Sequence, residues 1–328
     1  QENSHKDGVT REFFVDLVSG ENRLKATAFC LDGSWEAEPA EVVLRYEKPL
    51  QRANLFVVAV GVSDYLHDPL DLSYADHDAE GLADLFRTRG KTFYNSVDVQ
   101  LLTNAEATSA NLKAAMEHVR KTAAPQDVVM VLLSGHGKMV GQRYYFLPHD
   151  IEFPVSESID EAVRQGGIPH DRIYGWMTRT KALKRVLILD TCYAGGAVTS
   201  ADRYFANLDA DKERDPFQFR GAIERQSRSS GIYTIAAAAS TAKAQEVDEL
   251  RHGVLSYTLL AAFGGIDRGP LQGQPMTTNN PDGVAEVNDW ITYAAGRVPR
   301  LMESYFGRRH DVHSYSKGNS FPILPLSN

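Results

Sequence analysis

From Leu55 onward the chain alternates short, wholly apolar runs with amphipathic stretches. A run without polar residues reads as a strand buried on both faces, and such strands alternating with helices read as a parallel sheet covered on both sides. The spacing predicts strands at Leu55 to Val62, Val128 to Leu133, Val186 to Leu189, Ile232 to Ala237 and Phe321 to Leu324, with a weaker one at Val97 to Leu102. A helix is predicted from Asp76 to Arg89, where Ala79, Leu82, Ala83, Leu85 and Phe86 recur at helical spacing. Further helices are predicted at Ser109 to Thr122, Gly253 to Phe263 and Val284 to Leu301, with a crossover helix inside Asp171 to Leu183. Tyr145 to Leu147 extends a hairpin, and the polar stretches Ala201 to Ser230 and Gly264 to Gly283 read as loops.

The first fifty residues have another texture. Glu12 to Val18, Asn22 to Leu31 and Glu41 to Tyr46 are β-rich and punctuated by Gly20, Gly33 and Pro39. Three strands are too few to close a sandwich, so residues 1–50 are expected to be the end of an Ig-like or other β-sandwich, or a small sheet. Residues 51–328 form the main domain. The predicted fold class is α/β, with a mostly parallel six-stranded sheet sandwiched by helices and a small N-terminal β segment.

Composition narrows the function. With 328 residues, 43% of them hydrophobic, the chain can bury a full core. A net charge of -8 without a Lys/Arg cluster argues against nucleic acid or an anionic membrane surface as partner. The longest apolar runs are too short to span a bilayer, and Gln1 begins no signal-peptide pattern, so a cytoplasmic protein is expected. The chain does not start with Met, which leaves room for upstream sequence. Two cysteines, Cys30 and Cys192, exclude a disulfide framework, and a reducing compartment suits a free thiolate.

Candidate chemistry centres on Cys192, in Leu-Ile-Leu-Asp-Thr-Cys-Tyr-Ala-Gly-Gly, and on His136, 56 residues upstream in Val-Leu-Leu-Ser-Gly-His-Gly. Each follows an apolar run, so both are expected at strand ends on one edge of the sheet. An imidazole beside a thiol can take its proton, and the thiolate attacks a carbonyl carbon. A cysteine alone after such a run would read as a buried hydrophobe.

In this order, the two motifs resemble those of the caspase-like cysteine peptidases, specifically bacterial members akin to metacaspases and orthocaspases, over about Leu55 to Leu324. Tyr-Ala-Asp-His-Asp-Ala (Tyr74 to Ala79), Tyr145 to Asp150 and Ala236 to Ser240 ahead of Gly253 to Gly265 support the likeness. The resemblance implies a dyad without a third residue, in which Cys192 attacks and His136 protonates the leaving amine. It implies an oxyanion hole from the backbone N–H groups of Gly137 and Cys192. The acidic pocket of metacaspase-like members maps onto Asp78, Ser134 and Asp190, and two carboxylates near one site favour a cation, so cleavage after Arg is expected, with Lys second. Asp76 and Asp78 also suit the start of a helix.

The resemblance further implies self-cleavage in the 201–230 loop. Arg203, Arg214, Arg220, Arg225 and Arg228 all lie within it, with Arg225 and Arg228 preferred. Activation by a cut or by an upstream partner is expected, and protein or peptide substrates are the expected partners. A regulated scaffold is the alternative. No cofactor or metal is expected: Asp202, Asp209, Asp211 and Asp215 lack EF-hand spacing for calcium, and His310 with His313 lacks further ligands. His77, His149, His170 and His252 read as surface or internally satisfied histidines.

Overall fold

The computed structural model describes residues 12–28, 37–47, 51–193, 223–224, 230–237, 246–307, 309, 312–315 and 319–326, with 192 and 193 given by their backbone. It divides into two units, Gln1–Gln51 and Arg52–Asn328.

In the first unit, β1 (Gly20–Ala26) pairs antiparallel with β2 (Ala40–Tyr46). The strand expected at Glu12 to Val18 is irregular instead. Its last residue is diverted: Asn22 Oδ1 accepts the Val18 N–H and Asn22 Nδ2 donates to the Val18 carbonyl, so a side chain satisfies groups that a ladder would need.

The second unit is built on β3 (Leu55–Gly61), β4 (Val97–Thr103), β5 (Val128–Val140), β6 (Arg143–Phe146), β7 (Ile168–Pro169), β8 (Lys184–Tyr193) and β9 (Tyr233–Ala236). Two short strands, β10 (Glu246–Val247) and β11 (His252–Gly253), form a ribbon of their own. The remaining strands are β12 (Val284–Glu286), β13 (His313–Tyr315) and β14 (Pro322–Pro325). Among the described residues, the α-helices with full ranges are α1 (Ala75–Phe93), α2 (Ser109–Thr122), α3 (Ile159–Gly166), α4 (His170–Thr178), α5 (Val254–Ala261) and α6 (Val287–Phe306).

The main sheet runs β13-β9-β8-β5-β3-β4, parallel except for β13. With β6 antiparallel beside β5 and β7 antiparallel beside β6, it has eight strands rather than the six expected. Along β3, Leu55, Val57 and Ala59 face one core with α1, α5 and α6, while Phe56, Val58 and Val60 face another with α2 and α4. Both faces are covered, so the strand carries no polar residue. Each of the buried leucine, valine and phenylalanine side chains contributes about 1.5–3 kcal/mol.

Two further expectations change. The sixth strand of the sheet is β13, not Phe321 to Leu324; the latter segment becomes β14 and pairs with β12 in a separate ribbon. Residues 284–286, expected to be helical, form β12, and α6 starts behind them with Glu286 and Asp289 closing a capping box.

Candidate active site

Strand β5 does not stop at Leu133 but continues through the Ser-Gly-His-Gly motif to Val140, and β8 follows it in parallel register. Ser134 lies opposite Asp190, and His136 opposite Cys192. The two motifs are thus neighbours inside the ladder rather than beyond its end, because the backbone of each supplies hydrogen bonds to the other. The backbone geometry brings Cys192 beside His136.

Gly135 stands between Ser134 and His136 with φ +146°, a conformation that L side chains rarely adopt. A Cβ there would also lie 2.8 Å from the Tyr65 hydroxyl. Ser134 reaches Asp78 on α1, whereas His136 reaches the loop after β3.

His136 is 1% exposed. Its Nε2 donates to the Leu70 carbonyl oxygen at 2.8 Å; a carbonyl can only accept, so the proton of the neutral ring sits on Nε2. Nδ1 is left with its lone pair, buried and without a partner among the described residues. Burial pulls the imidazole pKa down to about 4, against the opposing pull of the Leu70 carbonyl. The Tyr65 ring lies tilted beside the imidazole, centroids 5.3 Å apart, and its hydroxyl accepts the His136 backbone N–H at 2.8 Å. Neither Leu70 nor Tyr65 was expected from the sequence. The carbonyl is an orienting partner that the dyad expectation did not include.

Gly137 faces Tyr144, whose ring occupies the space where a Cβ would stand. The Tyr144 hydroxyl meets Thr191 Oγ1 at 2.6 Å, next to Cys192. Tyr144 therefore braces one motif against the other, and this is a packing reason for glycine at 137.

The second part of the site is acidic. Asp78, in the first turn of α1 and 1% exposed, accepts from Ser134 Oγ at 2.8 Å and from the Gly253 N–H at 3.1 Å. His252 Nδ1 lies 2.9 Å from the same carboxylate. Asp190, also buried, accepts the Ser256 N–H at 2.7 Å. Gly253 and Ser256 belong to the start of α5, so both carboxylates sit where a helix offers free N–H groups and a positive dipole end.

Gly253 keeps the two carboxylates together. A Cβ there would stand 2.7 Å from Asp190 Oδ2 and 3.0 Å from Asp78 Oδ2. Burial drives the Asp78 carboxyl well above its ordinary range, with Glu246 adding to it while Ser134 and Gly253 oppose it. Burial and the neighbouring Asp78 lift Asp190 to about 7. Glu246 ties β10 to the start of α1 by accepting the Ser73 and Tyr74 N–H groups at 2.8 and 2.7 Å. Asp76, beside Asp78 in sequence, serves elsewhere: it accepts from Ser63 Oγ and Asn104 Nδ2 and fastens the ends of β3 and β4.

Asp78, Ser134 and Asp190 are thus gathered in one place, and His252, expected to be a satisfied histidine, is satisfied by Asp78. Arg225 and Arg228 lie outside the described residues, as do Cys30, Arg203, Arg214, Arg220 and the aspartates at 202, 209, 211 and 215. Among the described residues, no group of three or more His, Cys, Asp or Glu could hold a metal ion, and no helix is long and apolar enough to cross a membrane.

Residues 55–278 match the family model for the caspase domain. Among solved structures, a structural-genomics target from Geobacter sulfurreducens is 14% identical with a TM-score of 0.47, covering 81% of this chain and 95% of that one. No curated protein matches the sequence.

Proposed function

The chain belongs to the caspase domain family, a family of cysteine peptidases, and we propose that it is an endopeptidase cutting after arginine, with lysine second. The observation that carries this reading is the pair of buried carboxylates, Asp78 and Asp190, on the strands and helix that flank His136 and Cys192. Two buried carboxylates hold a proton at neutral pH unless a cation enters, so a guanidinium gains what an acidic side chain would lose. The planar fork of arginine can engage both carboxylates, which an ammonium does less well.

In the reaction, Cys192 Sγ attacks the carbonyl carbon of the bond to be cut. His136 Nδ1 takes the thiol proton and later gives it to the leaving amine, while the Nε2–H bond to Leu70 holds the ring in the required tautomer. An imidazole with a pKa of about 4 does not keep that proton at rest, so transfer accompanies attack. The backbone N–H groups of Gly137 and Cys192 receive the developing oxyanion, each contributing about 3 kcal/mol. Water then hydrolyses the thioester, with His136 as base.

Regulation is part of the proposal. Cuts after Arg225 or Arg228 would separate the segment carrying Cys192 from the one carrying β9 and α5, and an upstream partner could trigger them. No cofactor is invoked, and the cytoplasm, where a thiol stays reduced, is the proposed site of action.

The test is hydrolysis of fluorogenic peptides with Arg, Lys, Asp or a neutral residue before the cut, using Cys192→Ala as control. Turnover in the order Arg, Lys, then the others, lost in Cys192→Ala, is expected. Preference for Asp overturns the specificity, and no turnover after any activating treatment favours a scaffold.

A further inference from the structure

His252 stands in β11 next to Gly253, across from Val247 of β10, at the edge of the acidic pocket. Its ring is held against α1, where Gly81 leaves the room: a Cβ there would stand 3.3 Å from His252 Cε1. Asp78, one turn earlier on that helix, receives Nδ1 at 2.9 Å. His252 also lines a cavity of about 510 Å³ together with His77, Glu80 and Asp84. Burial lowers the pKa of His252, with Asp190 and Asp267 opposing and Arg268 assisting, so the ring carries one proton at neutral pH.

We propose that His252 is a positioning residue that determines specificity, its Nδ1–H holding Asp78 Oδ1 so that Asp78 is kept ionisable and aimed at a basic substrate side chain. The proposal rests on reading Asp78 and Asp190 as the seat of the residue before the cut. Among the described residues, three groups approach Asp78 as hydrogen-bond partners, namely Ser134 Oγ, the Gly253 N–H and His252. The backbone donor is fixed by the start of α5 and the hydroxyl can rotate. The imidazole alone is both directional and replaceable.

Against these donors stand the carboxylates of Asp190 from β8 and Glu246 from β10, which favour a protonated Asp78. His77 on α1 acts the other way on Asp78, and besides Asp78 the charges of Asp190, Asp267 and Arg268 act on His252 itself, with Arg251 on the same cavity wall. A donor to a carboxylate favours its charged form, so removing His252 pushes the Asp78 carboxyl further up. A protonated Asp78 offers a guanidinium no charge and a donor where an acceptor is needed. Arginine affinity then falls at neutral pH and recovers only at higher pH.

The experiment compares the full wild-type chain with His252→Leu and His252→Asn. Steady-state kinetics are measured on peptides carrying arginine or its uncharged isostere citrulline before the cut, between about pH 6 and 9. His252→Leu is expected to raise KM for the arginine peptide about tenfold at pH 7, with kcat within about twofold, and to move the rise in KM to higher pH by about one unit. Citrulline kinetics should stay put. His252→Asn, whose amide reaches the place of Nδ1–H, is expected to restore the wild-type profile.

A His252→Leu profile identical to wild type overturns the proposal, as does a loss confined to kcat or a shifted profile in His252→Asn. Should His252→Leu not fold, His252→Gln, whose amide falls at the place of Nε2, takes its part with the same expectations. A wild type that cuts arginine and citrulline peptides equally overturns the pocket reading itself, and the proposal with it. That result differs from a wild type that prefers arginine while the His252 variants behave alike.

Discussion

His136 on β5 and the pair formed by Asp78 of α1 and Asp190 of β8 are linked through Ser134, yet burial acts on them in opposite directions. It strips the proton from the imidazole, lowering its pKa from 6.5 to about 4, and keeps a proton on the carboxyls, raising Asp190 from 3.8 to about 7. Both regions therefore approach neutrality near pH 7 in the empty protein, which is the least costly way to bury ionisable groups. The difference lies in what restores charge. In the proposed reaction a cationic side chain draws the proton out of the acidic pair, whereas His136 acquires charge only when Cys192 gives up its proton.

The contrast extends to stability. The native pKa of His136 lies below its ordinary value, so the unfolded chain takes the proton first and this group costs stability as pH falls from 6.5 toward about 4. The native pKa of Asp190 lies above its ordinary value, so its cost is absent below 3.8 and grows as pH rises toward about 7. Over one pH window the two slopes oppose each other.

The largest effect expected on this pair of regions is from His136→Ala, which should lower kcat about 10³–10⁴-fold. Inhibition by a non-cleavable arginine peptide should change little. A parallel loss of peptide binding would show that the regions are not separable.

Asp190→Asn is expected to do the converse, raising KM for an arginine peptide about 100-fold, or about 3 kcal/mol, with kcat nearly kept. Its melting temperature should exceed that of wild type at pH 7.5, with the gain shrinking toward pH 4. A variant less stable than wild type at pH 7.5 would mean that the Ser256 bond outweighs the buried charge.

The smallest effect is the pH dependence of the wild type. KM for arginine peptides should fall as pH rises toward about 7, up to about tenfold per unit where one proton is released, while kcat stays level down to about pH 5. A kcat that falls together with binding near pH 7 would merge the two regions into one titrating system.

Much of this arrangement was legible in the sequence. Apolar runs gave the buried parallel strands because a strand covered on both faces has no polar position to betray its pleat. The segment His313 to Tyr315 escaped notice for the reverse reason: a partly exposed edge strand has no apolar run, while the apolar Phe321 to Leu324 owes its character to a separate small ribbon. Asp78, Ser134 and Asp190 could be named from the family resemblance that the motifs around them carry. His252 could not be paired with Asp78, since 174 residues separate them and the ribbon that joins them has strands of two residues. Leu70 was invisible because the group that acts is a peptide carbonyl.

That carbonyl has a genetic consequence. A side-chain scan of the loop from Ser63 to Ser73 would pass over Leu70, since alanine carries the same carbonyl as leucine. The part that orients His136 is written in the path of the chain rather than in any codon, so insertions and deletions in that loop are the mutations that can erase it.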